Sequence, residues 1–226
     1  MSAGGPNSVA ISRQSARYVV ALGLVLLSVT VVGAALGGVT AAESQSSPVE
    51  ISNWTDLDDI RNNPGADYIL VNDLNETTPG YDTVAGPNAN GGKGFDPIDG
   101  FPDGFNGSFD GQGNSIANLT IDRSSENEVG LFEYTSGGAV IEEVILTGAT
   151  VTGSNRVGGL VGENGGTVST SSASGAVSGT SEFGNVGGLV GRNSRGTGGE
   201  SVATGGGPGA RGVGGLGGVL GSVFLD

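Results

Sequence analysis

An all-β fold, a parallel β-solenoid, is what three features of this chain predict. Glycine supplies 46 of 226 residues, short apolar runs alternate with turn residues, and one octapeptide returns at a fixed interval. Glycine makes up roughly 7% of ordinary domains, so the excess requires either disorder or a repeated tight turn. Apolar residues recurring at constant spacing decide for the turn. No Gly-X-Y triplet runs through the chain, which excludes collagen.

The repeat series opens at Val129-Gly130-Leu131-Phe132. Val157-Gly158-Gly159-Leu160-Val161-Gly162-Glu163-Asn164 follows, then Val186-Gly187-Gly188-Leu189-Val190-Gly191-Arg192-Asn193, then Val213-Gly214-Gly215-Leu216-Gly217-Gly218. Leu131, Leu160, Leu189 and Leu216 are the predicted repeat-core positions, spaced 29, 29 and 27 residues apart, a period typical of solenoids. Within one repeat, residues 159–162, 167–171 and 176–178 read as three strands, enough for a triangular coil. Glycine at this density disfavours helix, at about 1 kcal/mol each relative to alanine. A single coil buries too little apolar surface to offset the ordering of its backbone. Stacked coils share an interior and hydrogen-bond to each other at a rise of about 4.8 Å. Corner glycines are expected to supply positive φ.

Upstream, residues 49–128 read as an acidic cap followed by the first coils, and residues 129–226 as the repeats. Ser52 or Asn53 can cap a short helix in which Trp54, Leu57 and Ile60 form one apolar stripe, ended by Asn63-Pro64-Gly65. Residues 68–71 read as a strand, 76–94 as turn and loop, and 95–98, 105–109 and 116–121 as further strand pieces.

The formal net charge is −14, and it is unevenly placed. Residues 42–149 hold 19 acids against Arg61, Lys93 and Arg123, whereas residues 150–226 hold four of each sign. This sign argues against nucleic acid and anionic membrane surfaces as partners. An acid-rich surface with a single lysine suits high ionic strength, where screening removes most self-repulsion, so a salt-loving source is expected. The chain has no cysteine and no histidine, which removes thiolate chemistry and the commonest general base and metal ligand.

Residues 1–41 have the order of a secretory signal or an uncleaved membrane anchor. Arg13 and Arg17 precede an uncharged stretch from Tyr18 to Ala42, and Val39-Thr40-Ala41 offers small residues for cleavage. Any membrane contact would run through residues 18–39, and residues 42–48 form a polar linker. Either reading places the remainder outside the cell, secreted or at its surface. Export gives meaning to four N-glycosylation sequons, at Asn53, Asn75, Asn106 and Asn118.

The octapeptides at 157–164 and 186–193 resemble the GLUG motif of bacterial and archaeal surface proteins. The segments Phe95-Asp96-Pro97-Ile98 and Phe105 to Ile116 are similar to the lead-in before such repeats, so the resemblance covers residues 95–193. It implies a right-handed β-helix of adhesin-like proteins and of stalks of secreted peptidases, and it supplies no catalytic residue. The pattern degenerates after Arg195, as in a truncated or frame-altered tail.

Other motifs carry less. Gly207-Pro208-Gly209-Ala210-Arg211-Gly212 fits a dinucleotide fingerprint, but neither the preceding strand nor the following helix is there in the sequence. Asp110 and Asn114, in the turn Asp110-Gly111-Gln112-Gly113-Asn114, are a candidate Ca²⁺ pair without the rest of an EF-hand loop. Asp58-Asp59, Glu142-Glu143 and the loop acids Asp96, Asp99 and Asp103 raise the question of glycoside cleavage. Neighbouring acids on a strand should face opposite ways, which separates Glu142 from Glu143. The expectation is an exported, non-catalytic surface protein with no cofactor, binding a surface glycan or protein. The alternative is a stalk or fragment of a larger secreted peptidase or polysaccharide-acting enzyme.

Overall fold

A computed structural model describes residues 47–204 apart from Phe101 and Phe183. The expected signal or anchor, the degenerate tail, the 207–212 motif and the fourth repeat leucine, Leu216, lie outside the described residues.

The chain winds as a β-solenoid of about three complete turns, with four parallel faces. The first face is built from β1 (Val49–Ile51), β2 (Asp67–Leu70), β3 (Ser108–Asp110), β8 (Val140–Glu142), β12 (Thr167–Ser169) and β16 (Thr197–Gly198), stacked in that order. The second carries β4 (Ser115–Ala117) and β5 (Thr120–Asp122), both on β9 (Ile145–Gly153), then β13 (Ser172–Gly179) and β17 (Val202–Thr204). The third comprises β6 (Asn127–Val129), β10 (Asn155–Gly158) and β14 (Val186–Gly187). The fourth comprises β7 (Phe132–Thr135), β11 (Val161–Asn164) and β15 (Val190–Asn193). Every strand pairing among the described residues is parallel, and one isolated antiparallel bridge joins Gly94 to Ile121.

The coil therefore has four sides where three were expected. The difference lies in the octapeptide, which does not form one strand. Its first residues end β10, the chain bends at Gly159-Leu160, and the following Val161–Asn164 begins another face as β11. Leu131, Leu160 and Leu189 occupy that bend on successive coils and are at most 1% exposed. They fill the corner between two faces, which lets both flanking valines point inward.

The interior is a set of ladders that shrink along the axis. On the first face Tyr68 stacks on Phe109, then Ile141, Val168 and Gly198. On the fourth, Phe132 stacks on Val161 and Val190. Aromatic rings gather at the wide end, with Phe105 and Phe109 centred 4.8 and 5.5 Å from Phe132. That end continues into α1 (Trp54–Asp58) and the 3₁₀ turn Asp59–Asn62. The Asn53 side chain caps α1 by accepting from the Thr55 and Asp56 amides, and Trp54, Leu57 and Ile60 are fully buried as the apolar stripe requires. Between β2 and β3 a long insertion contains a π-helical turn over Tyr81–Ala85 and a kinked turn over Ala89–Gly92, α2. Leu74, Ile98 and Phe105 return from it to bridge Ile116, Phe132 and Thr135 of the next coil. The expected strand pieces shorten accordingly: 105–109 becomes strand only at Ser108, and 116–121 divides around Asn118, whose φ is 59°.

One buried polar ladder runs through the core. The Thr135 hydroxyl donates to Asn164 Oδ1 at 2.6 Å, and the Gly166 amide donates to the same oxygen at 3.1 Å. Asn164 Nδ2 donates to the Gly166 carbonyl at 3.2 Å and to Asn193 Oδ1 at 3.3 Å. The motif's final asparagine thus satisfies backbone groups that a turn inside the solenoid would otherwise leave unpaired.

The motif glycines act differently from expectation. Positive φ in the repeats is divided between Gly148 and Gly175, which lie outside the motif and meet the expectation, and Glu128, Glu143, Arg156 and Thr170, four residues of which none is buried. Gly158 and Gly162 have φ outside the left-handed range, and their need is space. A Cβ on Gly158 would lie 2.2 Å from the Val161 carbonyl oxygen and 2.6 Å from the Gly191 nitrogen, and one on Gly162 would lie 2.3 Å from the Glu128 carbonyl carbon. Corner residues with outward side chains tolerate the left-handed conformation, at roughly 1–2 kcal/mol for a non-glycine residue. No side chain fits where backbone stacks on backbone.

Two alanine substitutions separate these roles. Gly158→Ala should lose about 3 kcal/mol of unfolding free energy through overpacking. Gly137→Ala, whose Cβ would meet nothing closer than 3.8 Å, should stay within about 0.5 kcal/mol of the parent. Urea titration measures both, and equal losses would contradict the close-stacking role.

Candidate functional site

The densest chemistry lies on the third and fourth faces and the insertion segment beside them. In-register stacking sets it up. Asn127 and Val129 pair with Asn155 and Val157, which places Glu128 opposite Arg156. Tyr134, Glu163 and Arg192 form the next outward row. Arg156 Nη1 bonds Glu128 at 2.7 Å and Glu163 at 2.5 Å, and Arg192 approaches Glu163 at 3.9 Å.

A second set joins the insertion to the first full coil. Arg123 bonds Asp96 at 2.7 Å and lies 3.6 Å from Glu126. Arg61 pairs with Asp58 and approaches Asp96 at 3.7 Å, while Lys93 stands 3.8 Å from Glu126. The Arg123 side chain is 10% exposed, and its Nε is buried with no hydrogen-bond partner among the described residues. Arg123 therefore clamps the 93–99 segment onto β5 and β6, with its guanidinium tip paired and its stem packed.

Glu133 stands apart in this group. Burial pushes its carboxyl up to about 7, and the negative charges of Glu128, Asp99, Glu126 and Asp96 add to the effect. Among the described residues it forms no salt bridge. Elsewhere, Asp73 is held below the usual carboxylate range because the Ser115 amide and hydroxyl both donate to it, at 2.7 and 2.9 Å. Those bonds tie the start of the insertion to β4.

The residues singled out in the sequence are placed as follows. Asp110 accepts from the Gln112 amide at 2.8 Å, and Asn114 Nδ2 donates to the Leu70 carbonyl at 2.7 Å, so both hold the turn and the coil before it. Among the described residues no group of three or more His, Cys, Asp or Glu is arranged to hold a metal ion. Asp58 serves Arg61, and Asp96 serves Arg61 and Arg123, while Asp99 and Asp103 are exposed. Glu142 and Glu143 are both exposed, contrary to strict alternation. The strand ends at Glu142, and Glu143 turns the corner with φ 53°.

The four sequons differ in environment. Asn53 Nδ2 donates to Asp56 at 2.8 Å. Asn75 Oδ1 accepts from the Thr77 amide and hydroxyl at 2.9 and 2.7 Å. Asn106 is exposed, but its sequon hydroxyl, on Ser108, donates to Asp67 at 2.7 Å. Asn118 is half-buried and its Oδ1 lies 2.6 Å from the position a Cβ on Gly148 would take.

The charge ladders and Glu133 escaped the sequence reading, although a signal was there. Glu128 and Arg156, and Glu163 and Arg192, are opposite charges separated by 28 and 29 residues, the repeat interval itself.

These features define a parallel β-solenoid built from stacked repeats. The chain is similar to halomucin of Haloquadratum walsbyi, at 39% identity over 166 residues. That alignment covers 70% of this chain and 2% of halomucin, so the chain spans a small fraction of its relative's length. No protein-family model matches the chain, and no solved structure matches it.

The charged face gives a pH test. With Glu133 raised from 4.5 to about 7, the folded state binds more protons than the unfolded state between those values, so stability falls as pH rises through that window. Glu133→Gln should flatten the fall between pH 4.5 and 7 and raise the melting temperature by a few degrees at pH 8 in low salt. Thermal unfolding across that range checks it, and a variant with the parent's pH profile would contradict the assignment.

Proposed function

We propose that this chain is a module of an exported surface protein of a salt-adapted cell, with a structural or adhesive role and no catalysis of its own. The observation that carries this reading is the division of labour within the repeat. The motif's leucines, valines, glycines and asparagine hold coil to coil, while no Asp or Glu among the described residues is fully buried.

Similarity to halomucin supports a surface setting at high salt. We read the octapeptides as GLUG-type repeats and the coil as right-handed, the hand that parallel crossovers overwhelmingly take. The N-terminal stretch acts as a signal or as an anchor through residues 18–39, and the lateral faces meet a glycan or a protein of the cell surface. Because its relative is so much longer, a stalk or spacer within a larger secreted protein is the favoured form of this role.

Salt dependence is the test. Outward carboxylates repel one another in dilute buffer, and at 1 M salt the screening length falls to about 3 Å. The melting temperature should climb steeply from dilute buffer to multimolar KCl. A melting temperature indifferent to salt would remove the salt-adapted reading.

A further inference from the structure

We infer that, of the four sequons, Asn75 is the N-glycan acceptor. The inference rests on the export proposed above. Three conditions of the chemistry select among the sites: the acceptor nitrogen must be free of protein hydrogen bonds, the hydroxyl two residues on must be directed at the asparagine, and the segment must lie outside a sheet so that an enzyme can seat it.

Asn75 meets all three. Its Nδ2 has no hydrogen bond among the described residues, because the contacts of its carboxamide go to Oδ1. Thr77 supplies both, amide and hydroxyl, at 2.9 and 2.7 Å. Glu76 and Thr77 are exposed, and residues 75–80 form turns between the Leu74 bridge and the π-helical turn. The backbone is also fixed in place, since Trp54 Nε1 donates to the Asn75 carbonyl at 3.0 Å. The acceptor is thus presented on an anchored loop beside the wide end of the core.

Each of the other sites fails one condition. Asn53 Nδ2 is bound to Asp56 at 2.8 Å and to Ser52 at 3.3 Å. The Ser108 hydroxyl of the Asn106 sequon is bound to Asp67 at 2.7 Å, and Ser108 opens β3. Asn118 sits between β4 and β5, and its sequon threonine, Thr120, is paired with Thr150.

The donor is an oligosaccharide linked to a lipid through phosphate. A bond forms between Asn75 Nδ2 and the anomeric carbon, and the anomeric C–O bond to phosphate breaks. The lipid phosphate leaves with the electron pair, and the amide gives up one proton to a base of the transferase.

The test is expression of the full chain in a halophilic archaeal host with N-glycosylation, followed by cell fractionation and glycopeptide mass spectrometry. The exported chain is expected to carry a glycan at Asn75. Asn75→Gln and Thr77→Ala should each lower the intact mass by one glycan, whereas Asn53→Gln, Asn106→Gln and Asn118→Gln should leave it in place. Thr77→Ala keeps the asparagine, so a fold defect at position 75 cannot mimic the loss. An exported chain that is bare, or glycosylated elsewhere with Asn75 bare, overturns the inference and leaves export standing. A chain retained in the cytoplasm overturns the export reading and the acceptor assignment with it.

Discussion

Backbone stacked on backbone at about 4.8 Å is the constraint from which the rest of this molecule follows. At Gly158, Gly162 and Gly191 the neighbouring coil comes within 2.3–2.6 Å of where a Cβ would stand, so the corners of the third and fourth faces close only without side chains. With those corners closed, the leucine bend turns inward, the valines on either side face the core, and the asparagine reaches the turn amides. The motif is a packing device, and each of its residues touches the next coil.

Stacking also determines the electrostatics. Residues one repeat apart lie directly over one another, so charges placed at the repeat interval become neighbours. Glu128 with Arg156 and Glu163 with Arg192 use this to build alternating ladders on an otherwise acidic protein. Glu133 has no such partner among the described residues, and it is the carboxyl driven upward. The core tapers in the same direction, from phenylalanine through isoleucine and valine to glycine on the first face, so the coils near the insertion hold most of the apolar volume.

Much of this was legible in the sequence. The period, the leucine positions 131, 160 and 189, the short N-terminal helix and the parallel stacking could be read because each is written as spacing. The fourth face could not, since a run such as Val157 to Asn164 carries no mark of a bend in its middle. Gly148 and Gly175 do supply positive φ, but the role of the motif glycines was misread for a related reason: composition reports that a side chain is absent, and only the fold distinguishes a need for positive φ from a need for room. The charged face was hidden because its members, Asp96, Arg123, Glu133 and Arg156, are scattered along the chain and meet only once the coils are in register. The sequons were visible as a pattern, whereas their ranking depends on which amide nitrogens the fold leaves free.

The central claim is that residues one repeat apart sit side by side on parallel strands. Thr150 and Ala176 are exposed register partners on β9 and β13, and the chain has no cysteine, so a Thr150→Cys/Ala176→Cys double variant can be spin-labelled cleanly. The account expects nitroxide spectra broadened by strong spin–spin coupling at room temperature in high salt, with each single variant giving an uncoupled spectrum. A double variant whose spectrum is the sum of the two singles would contradict the stacked solenoid.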